Sequence, residues 1–250
     1  MRFYFNANNK TQLRALRRAG VKNIMLTYKF VGEAKEYTNE FERAIIGPGF
    51  GSDKDKYHEY IEDWEFEALQ YDNPNDALIN YNNWKEGSEY NSKLIPILHQ
   101  NYPQALSIFK PNYKGDRIAL GKASSRSQED EQLRRLPQSF SYHGLAKGRW
   151  LNNRTNMVDS VDSTTWTSGT RGRKTDVWKG QSILFGEKGK TNQSTIQLAC
   201  QKNLIYLSKI GLDPKELIRG DQIALTLAPL VLYYMPMLKD LGCYEENFKL

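Results

Sequence analysis

The chain has little cysteine, little histidine and no long apolar run, and each shortage removes a class of protein. Cys200 and Cys243 stand far apart in stretches that read as helix, with no CxxC or Cys/His cluster beside them, so a structural zinc site is not expected. No metal or other cofactor is read from the sequence. The N-terminus lacks the charged, apolar and small-residue order of a signal peptide, and no apolar run reaches about 18 residues. The longest run, 223–238, is cut by Pro229 and Pro236 and reads as buried helix rather than as a membrane span. The expectation is a protein of the reducing cytoplasm with no membrane partner. A Gly-rich phosphate turn after the first apolar run is also missing, which argues against an open doubly wound nucleotide-binding sheet.

What is present points elsewhere. A length of 250 residues suits one (β/α)8 barrel as a single domain. Thirty-five Lys and Arg against 29 Asp and Glu leave a formal charge of +6, which suits an anionic partner as well as a solvated surface. Fifteen Tyr, ten Phe and five Trp are many for so polar a chain. Most belong in a core, and those exposed beside cations would stack on unpaired bases.

Short apolar runs recur at 2–5, 23–28, 44–47, 66–71, 94–99, 117–121, 140–146 and 157–162, separated by polar or helical stretches. That is the pattern of parallel strands covered by helices. The spacing predicts helices at 54–64, at 75–84 with Asn73 and Pro74 as cap and first turn, at 102–109 and at 128–136, with a helical turn at 149–153. The segment 31–43 shows no convincing helix. A basic, Gly- and Thr-rich loop follows at 167–179, and two helices, 192–210 and 214–241, close the chain over the barrel. The predicted fold is an α/β TIM barrel with its strands within 1–166, in one domain spanning 1–250.

Barrel chemistry sits just past the C-terminal ends of strands. The polar residues there are Asn6 and Asn8, Asp72, His99 and Gln100, Lys122, His143 to Lys147, and Asp159 with Asp162. Two segments stand out. Ser141 to Gly148 places two glycines around a strand end, where backbone can approach a ligand closely. Val158 to Trp166 carries two carboxylates three residues apart, so on a strand at most one of them points into the site.

Taken together, Ile118-Ala-Leu-Gly121, His143-Gly-Leu-Ala-Lys-Gly148 and Ser160-Val-Asp-Ser-Thr-Thr-Trp166 resemble the compact phage relatives of the tRNA-guanine transglycosylases, which include enzymes that insert 7-deazaguanines into DNA. The likeness extends more weakly over 1–166, and the Val-Asp-Ser-Thr-Thr-Trp run is its most specific part. It implies a TIM barrel in which an eighth-strand Asp attacks C1′ of the target nucleoside and an incoming 7-deazaguanine such as preQ0 replaces the departed base. That role falls on Asp162, with Asp159 as the alternative if the larger enzymes are aligned three residues earlier. Asp72 falls where the family holds the base edge, and Gly121 with Lys122 and Gly144 with Leu145 fall at the remaining base-binding positions. His143 and His99 are candidate proton carriers. Lys147, Arg149, Trp166, Arg171, Arg173 and Lys174 are candidate nucleic-acid contacts.

Simpler roles stand beside these. Asp162 also suits turn capping, Asp159 a surface ion pair, Asp72 a helix start, Trp166 a seal over the barrel mouth, and the basic loop a solvated surface. The family's third strand ends in Asp-Ser-Gly, whose Asp serves as general acid/base, whereas this chain reads Ile45-Ile46-Gly47-Pro48-Gly49-Phe50. Proton transfer by a placed carboxylate is worth roughly 10²- to 10⁴-fold in rate. The resemblance therefore implies a pentosyltransferase acting on DNA in a bacterial or phage-infected cytoplasm. The absence of the zinc cluster of the larger tRNA enzymes disfavours tRNA. The alternatives are a DNA glycosylase, a barrel that binds nucleic acid as an accessory protein after losing catalysis, and a small-nucleoside hydrolase. A homodimer is left open.

Overall fold

In the computed structural model, residues 32–34, 124, 126, 154–155, 168–173, 186–192 and 250 fall outside the described structure. The chain divides into two compact units, one comprising Met1–Asn6, Ile24–Glu33 and Arg43–Ser163, the other Ala7–Asn23, Ala34–Glu42 and Thr164–Leu250.

The first unit is built on the eight parallel strands of an α/β, TIM-barrel-like fold. Its staves are β1 (Arg2–Ala7), β2 (Asn23–Thr27), β3 (Arg43–Gly47), β4 (Glu67–Leu69), β5 (Leu94–Ile95 and Ile97–Gln100), β6 (Arg117–Ala123), β7 (Ser141–Gly144) and β8 (Ser160–Ser163). Each follows its predecessor in the sheet, and β8 returns to β1 in parallel register, with Tyr4 opposite Asp162. The fifth stave is interrupted at Pro96, which has no N–H to give a ladder. Leu94–Ile95 pairs with β4 and Ile97–Gln100 pairs with β6, so the two halves together close the ring.

Alternation along each strand sends one set of side chains into the barrel. Tyr4, Met25, Ile45, Leu69, Ile95, Ile97, Ala119 and Leu145 pack there, one or two from each of the first six staves and Leu145 from just past β7. Burying each large aliphatic side chain contributes about 1.5–3 kcal/mol. At the N-terminal end of the interior Arg117 is nearly buried and pairs with Glu67, and its second terminal nitrogen donates to Ser160 Oγ at 2.9 Å and to Tyr4 Oη at 3.3 Å. Four strands therefore share one guanidinium.

The predicted strands and covering helices of the barrel are present with shifted bounds. The helix after β4 is Ala77–Gly87, and its cap is Asp76, which accepts from the Leu78 and Ile79 N–H groups, rather than Asn73. Asn73 instead folds back on Asn75 in a local turn. The eighth strand begins at Ser160, three residues later than the sequence suggests, because Asp159 is consumed in joining strand starts. Its N–H donates to Tyr142 O and its carbonyl accepts from the Arg2 N–H.

The second unit contains the helix Lys10–Arg18, capped by Asn9 and ended before Gly20 in the left-handed region (φ 71°). In place of the long closing helices it has shorter pieces. Gln193–Lys202 and Leu204–Lys209 divide at Asn203, and 214–241 breaks into Pro214–Ile218, Gln222–Pro229, a π-turn at Leu230–Tyr234 and Met235–Asp240. The π-turn follows Pro229, which cannot supply the helical N–H. The described part of the basic loop is not irregular: Lys174–Val177 pairs antiparallel with Gln181–Leu184.

Removing a partner from the buried Arg117 cluster leaves charge stranded in the barrel. Arg117→Ala is expected to lower the unfolding free energy by about 3 kcal/mol, at the lower end for such pairs because Glu67 is 30% exposed. Urea denaturation checks this, and a double replacement of Arg117 and Glu67 by Met should recover most of the loss.

Candidate functional site

All eight staves run parallel, so their C-terminal ends meet at one mouth. Asp162 is the last inward-facing residue of β8 and only 2% exposed. Asn6 of β1 donates from Nδ2 to its Oδ2 at 2.6 Å, and the Ala146 N–H donates to Oδ1 at 2.8 Å. Ala146 holds a left-handed backbone (φ 52°), unusual for a residue with a Cβ, and this turn aims its N–H at the carboxylate. His143 Nε2 lies 3.3 Å from Oδ1, without the alignment of a full hydrogen bond.

Behind His143, its Nδ1 sits 2.9 Å from Ser160 Oγ, which takes the bond from Arg117. The Tyr4 ring meets the imidazole edge-on at 5.4 Å. A polar chain thus runs from Glu67 through Arg117, Ser160 and His143 to Asp162. It contains Ser, His and Asp in contact, yet it is not a hydrolase triad, because Ser160 is fully buried at the far end and its oxygen is engaged by a cation. Burial pushes the His143 imidazole below its ordinary range. Arg117 pushes it the same way, while Asp162 and Glu67 oppose.

A second cluster lies at the ends of β4, β5 and β6. His99 Nε2 is 2.7 Å from Asp72 Oδ1, and its Nδ1 accepts the Lys122 N–H at 2.9 Å. That acceptance puts the ring proton on Nε2, facing Asp72. The Lys122 N–H is free for this because the β5–β6 register slips between Leu98 and Gln100, a bulge that takes it out of the ladder. Gly121 is required here: a Cβ would lie 2.1 Å from His99 Cε1. Tyr102 Oη donates to Gly121 O at 2.8 Å and holds this backbone in place. In an eight-stave ring β4 stands opposite β8, so Asp72 and Asp162 occupy opposite walls.

The remaining candidates divide. Asp159 is exposed and accepts the Tyr142 N–H at 2.8 Å at the N-terminal end of the barrel, away from the mouth. It does not share a site with Asp162. Gly144 ends β7, and a Cβ there would strike the Trp150 ring at 2.7 Å. Leu145 packs against the barrel core and donates its N–H to Leu120 O. Lys147 is not a displayed cation: its side chain is 12% exposed, bonds Glu129 at 2.6 Å and lies over the Trp150 ring. Arg149, more open, reaches the same buried Glu129 at 3.2 Å. Trp166 is fully buried in the turn Thr165–Thr167, so its ring is not on show for stacking. Lys174 is exposed at the start of the hairpin, and Arg171 and Arg173 lie outside the described residues.

Gly47 ends β3, with Leu69 Cδ1 and Met25 Cε nearest to where its Cβ would be, so no third-strand side chain projects into the mouth at that position. Past it, Gly49 and Gly51 both adopt left-handed backbone and hold Phe50 fully exposed between them. Among the described residues no group of three or more His, Cys, Asp or Glu is arranged to hold a metal ion.

Sequence reasoning put Asp162, His143 and Asn6 at strand ends but gave Asn6 no role and did not select Ser160, Arg117 or Glu129. Asn6 had a usable signal, being polar at the end of an otherwise apolar strand next in the ring to β8. Arg117 looked like an ordinary strand flank, and Glu129 like part of a charged, solvated helix.

No protein-family model matches the chain, and no curated protein matches it. Among solved structures the chain is similar to the YdjI aldolase from Escherichia coli K12, with a TM-score of 0.49 and 12% identity over 92% of this chain and 90% of that one. At that likeness the aldolase's chemistry does not transfer.

Two measurements probe this site. Gly121→Ala is expected to displace His99 from Asp72 and to destabilise the fold by about 1–3 kcal/mol, because the new Cβ meets a ring rather than a flexible tip. Urea denaturation and the His99 NMR signals check it. For His143, whose folded-state value lies below its unfolded value near 6.5, the unfolded chain binds the proton first as pH falls. Its stabilising contribution is complete above about pH 6.5 and is lost as pH falls towards the folded-state value, at up to about 1.4 kcal/mol per pH unit. His143→Gln should flatten the unfolding free energy between pH 7.5 and 5.5 relative to wild type.

Proposed function

We propose that this barrel is a base-exchange enzyme of the transglycosylase type, replacing guanine in DNA with a 7-deazaguanine through a covalent bond between Asp162 and the sugar. The observation that carries the reading is the seating of Asp162: an inward carboxylate at the mouth of the eighth strand, gripped by Asn6 and the Ala146 N–H and flanked by His143. Fixed donors of this kind hold a nucleophile in one orientation without a reorganisation cost at the moment of reaction. An Asp162 oxygen bonds to C1′ while the C1′–N9 bond breaks and its electron pair leaves with guanine. The incoming base then attacks C1′ and returns the pair to Asp162. Over the cycle the proton gained by guanine equals the one lost by the incoming base.

Asp72, on the opposite wall, suits the base edge. One oxygen is bonded by His99, and the other has no partner among the described residues to keep it from the ring N–H and amine of a guanine-like ligand. A DNA substrate is supported by the resemblance and by the +6 charge. The target nucleotide must leave the stack or lie in a single strand.

Gly47 favours a second reading, a barrel that binds nucleic acid but no longer exchanges bases, since no carboxylate stands where the third strand of the family carries its acid.

Both are tested by incubating the protein with labelled single- and double-stranded DNA and preQ0, with tRNA as control. Base exchange and a denaturation-stable protein–DNA adduct are expected, and Asp162→Asn should lower both by at least about a thousandfold. Binding without adduct, exchange or abasic product in wild type and variant alike would leave only the second reading.

A further inference from the structure

We propose that Ser160 and Arg117 are positioning residues that lock His143 in its neutral Nε2–H tautomer, so that Asp162 always has beside it a donor that carries no charge. The proposal rests on Asp162 being the reacting carboxylate.

Arg117 has only donors, so its 2.9 Å contact makes Ser160 Oγ an acceptor and leaves the serine hydroxyl proton to be given elsewhere. The next polar atom in line is His143 Nδ1, also at 2.9 Å. If Nδ1 accepts that proton, the imidazole carries its own proton on Nε2, 3.3 Å from Asp162 Oδ1. The opposite tautomer sets a nitrogen lone pair against a carboxylate oxygen in a site sealed from water, with no solvent to screen the repulsion.

The doubly protonated ring is opposed by burial and by the Arg117 cation and favoured by two carboxylates. Every element facing His143 contributes: Tyr4 of β1 presents a ring edge, Ser160 and Asp162 come from β8, and Arg117 of β6 places a cation behind the serine, itself balanced by Glu67 of β4. Only the Asp162 and Glu67 carboxylates favour the charged ring, and complete burial outweighs them.

The lock matters for both halves of the reaction. An imidazolium beside Asp162 would offset the charge that makes the carboxylate a nucleophile. A neutral N–H leaves that charge in place and can tighten onto the oxygen when the C1′–O bond breaks and its electron pair returns to Asp162. The imperfect alignment at 3.3 Å leaves room for that tightening.

With three histidines in the chain, ¹⁵N-histidine labelling gives a small spectrum in which His143→Gln identifies the signals of interest. Wild-type His143 is expected to be neutral and protonated on Nε2 at neutral pH, and to titrate below the ordinary value near 6.5. A proton on Nδ1, or titration at or above pH 6.5, overturns the proposal without any variant having to fold. Ser160→Ala should move the titration upward and populate both tautomers, whereas Ser160→Thr, which keeps the hydroxyl, should restore the wild-type pattern. In the rate of adduct formation with DNA, Ser160→Ala should shift the acid limb of the pH profile to higher pH. A drop in rate equal at every pH, with no shift, assigns Ser160 a packing role and overturns the proposal. If wild type forms no adduct, the reading of Asp162 fails, while the spectrum still decides the tautomer.

Discussion

Closing a parallel sheet of eight staves obliges each strand to serve two neighbours, and the fifth does so only by dividing the work. Pro96 has no N–H, yet its carbonyl still accepts from Ala119, so the ring stays bonded on one side while the chain changes partner. Beyond the proline, Ile97–Gln100 follows β6 until the register slips by one residue. The backbone N–H that the slip releases is the one that fixes the ring of His99. The strand that closes the barrel therefore also places a mouth residue, and Gly121 leaves the room that the His99 ring needs.

The interior has two halves of different character. Apolar side chains fill the middle, while a continuous file of polar groups crosses it from Glu67 to Asp162. Such a file destabilises a core unless nearly every member is satisfied, and here each link but the last is made. The weak link lies where Asp162 meets His143, at the C-terminal mouth of the barrel. Two of the three described non-glycine residues in the left-handed region lie at the same end, Gln100 as the last residue of β5 and Ala146 just past β7.

Much of the barrel was legible because parallel strands buried on both faces leave unbroken apolar runs, and eight such runs in order predict the ring. Boundaries were less so. Asp159 reads as strand from its neighbours, but it precedes the strand and its side chain reaches across to the Tyr142 N–H of β7. The hairpin at 174–184 was hidden by composition, since only Thr175 and Ile183 turn inward from strands otherwise polar or half-exposed. The candidate nucleophile could be placed from local pattern and resemblance. Its partners could not, because Asn6 and Asp162 meet across 156 positions and Glu67 and Arg117 across 50, and no local periodicity reports a pairing of that range.

The buried Glu129 bears on how this protein meets a polyanion. Lys147, Arg149 and the Trp150 N–H all converge on it, so two of the cations that follow β7 already have a counter-charge inside the protein. A lysine neutralised this way displaces few condensed ions from a phosphate backbone, and it is this release that drives electrostatic binding to DNA. The formal charge of +6 thus overstates the field around the seventh strand, and any attraction of a polyanion would rest on cations elsewhere on the surface. Around β7 the two glycines make room for the protein's own side chains, Gly144 for the buried Trp150 ring and Gly148 for Ser163, so the segment is packed from within.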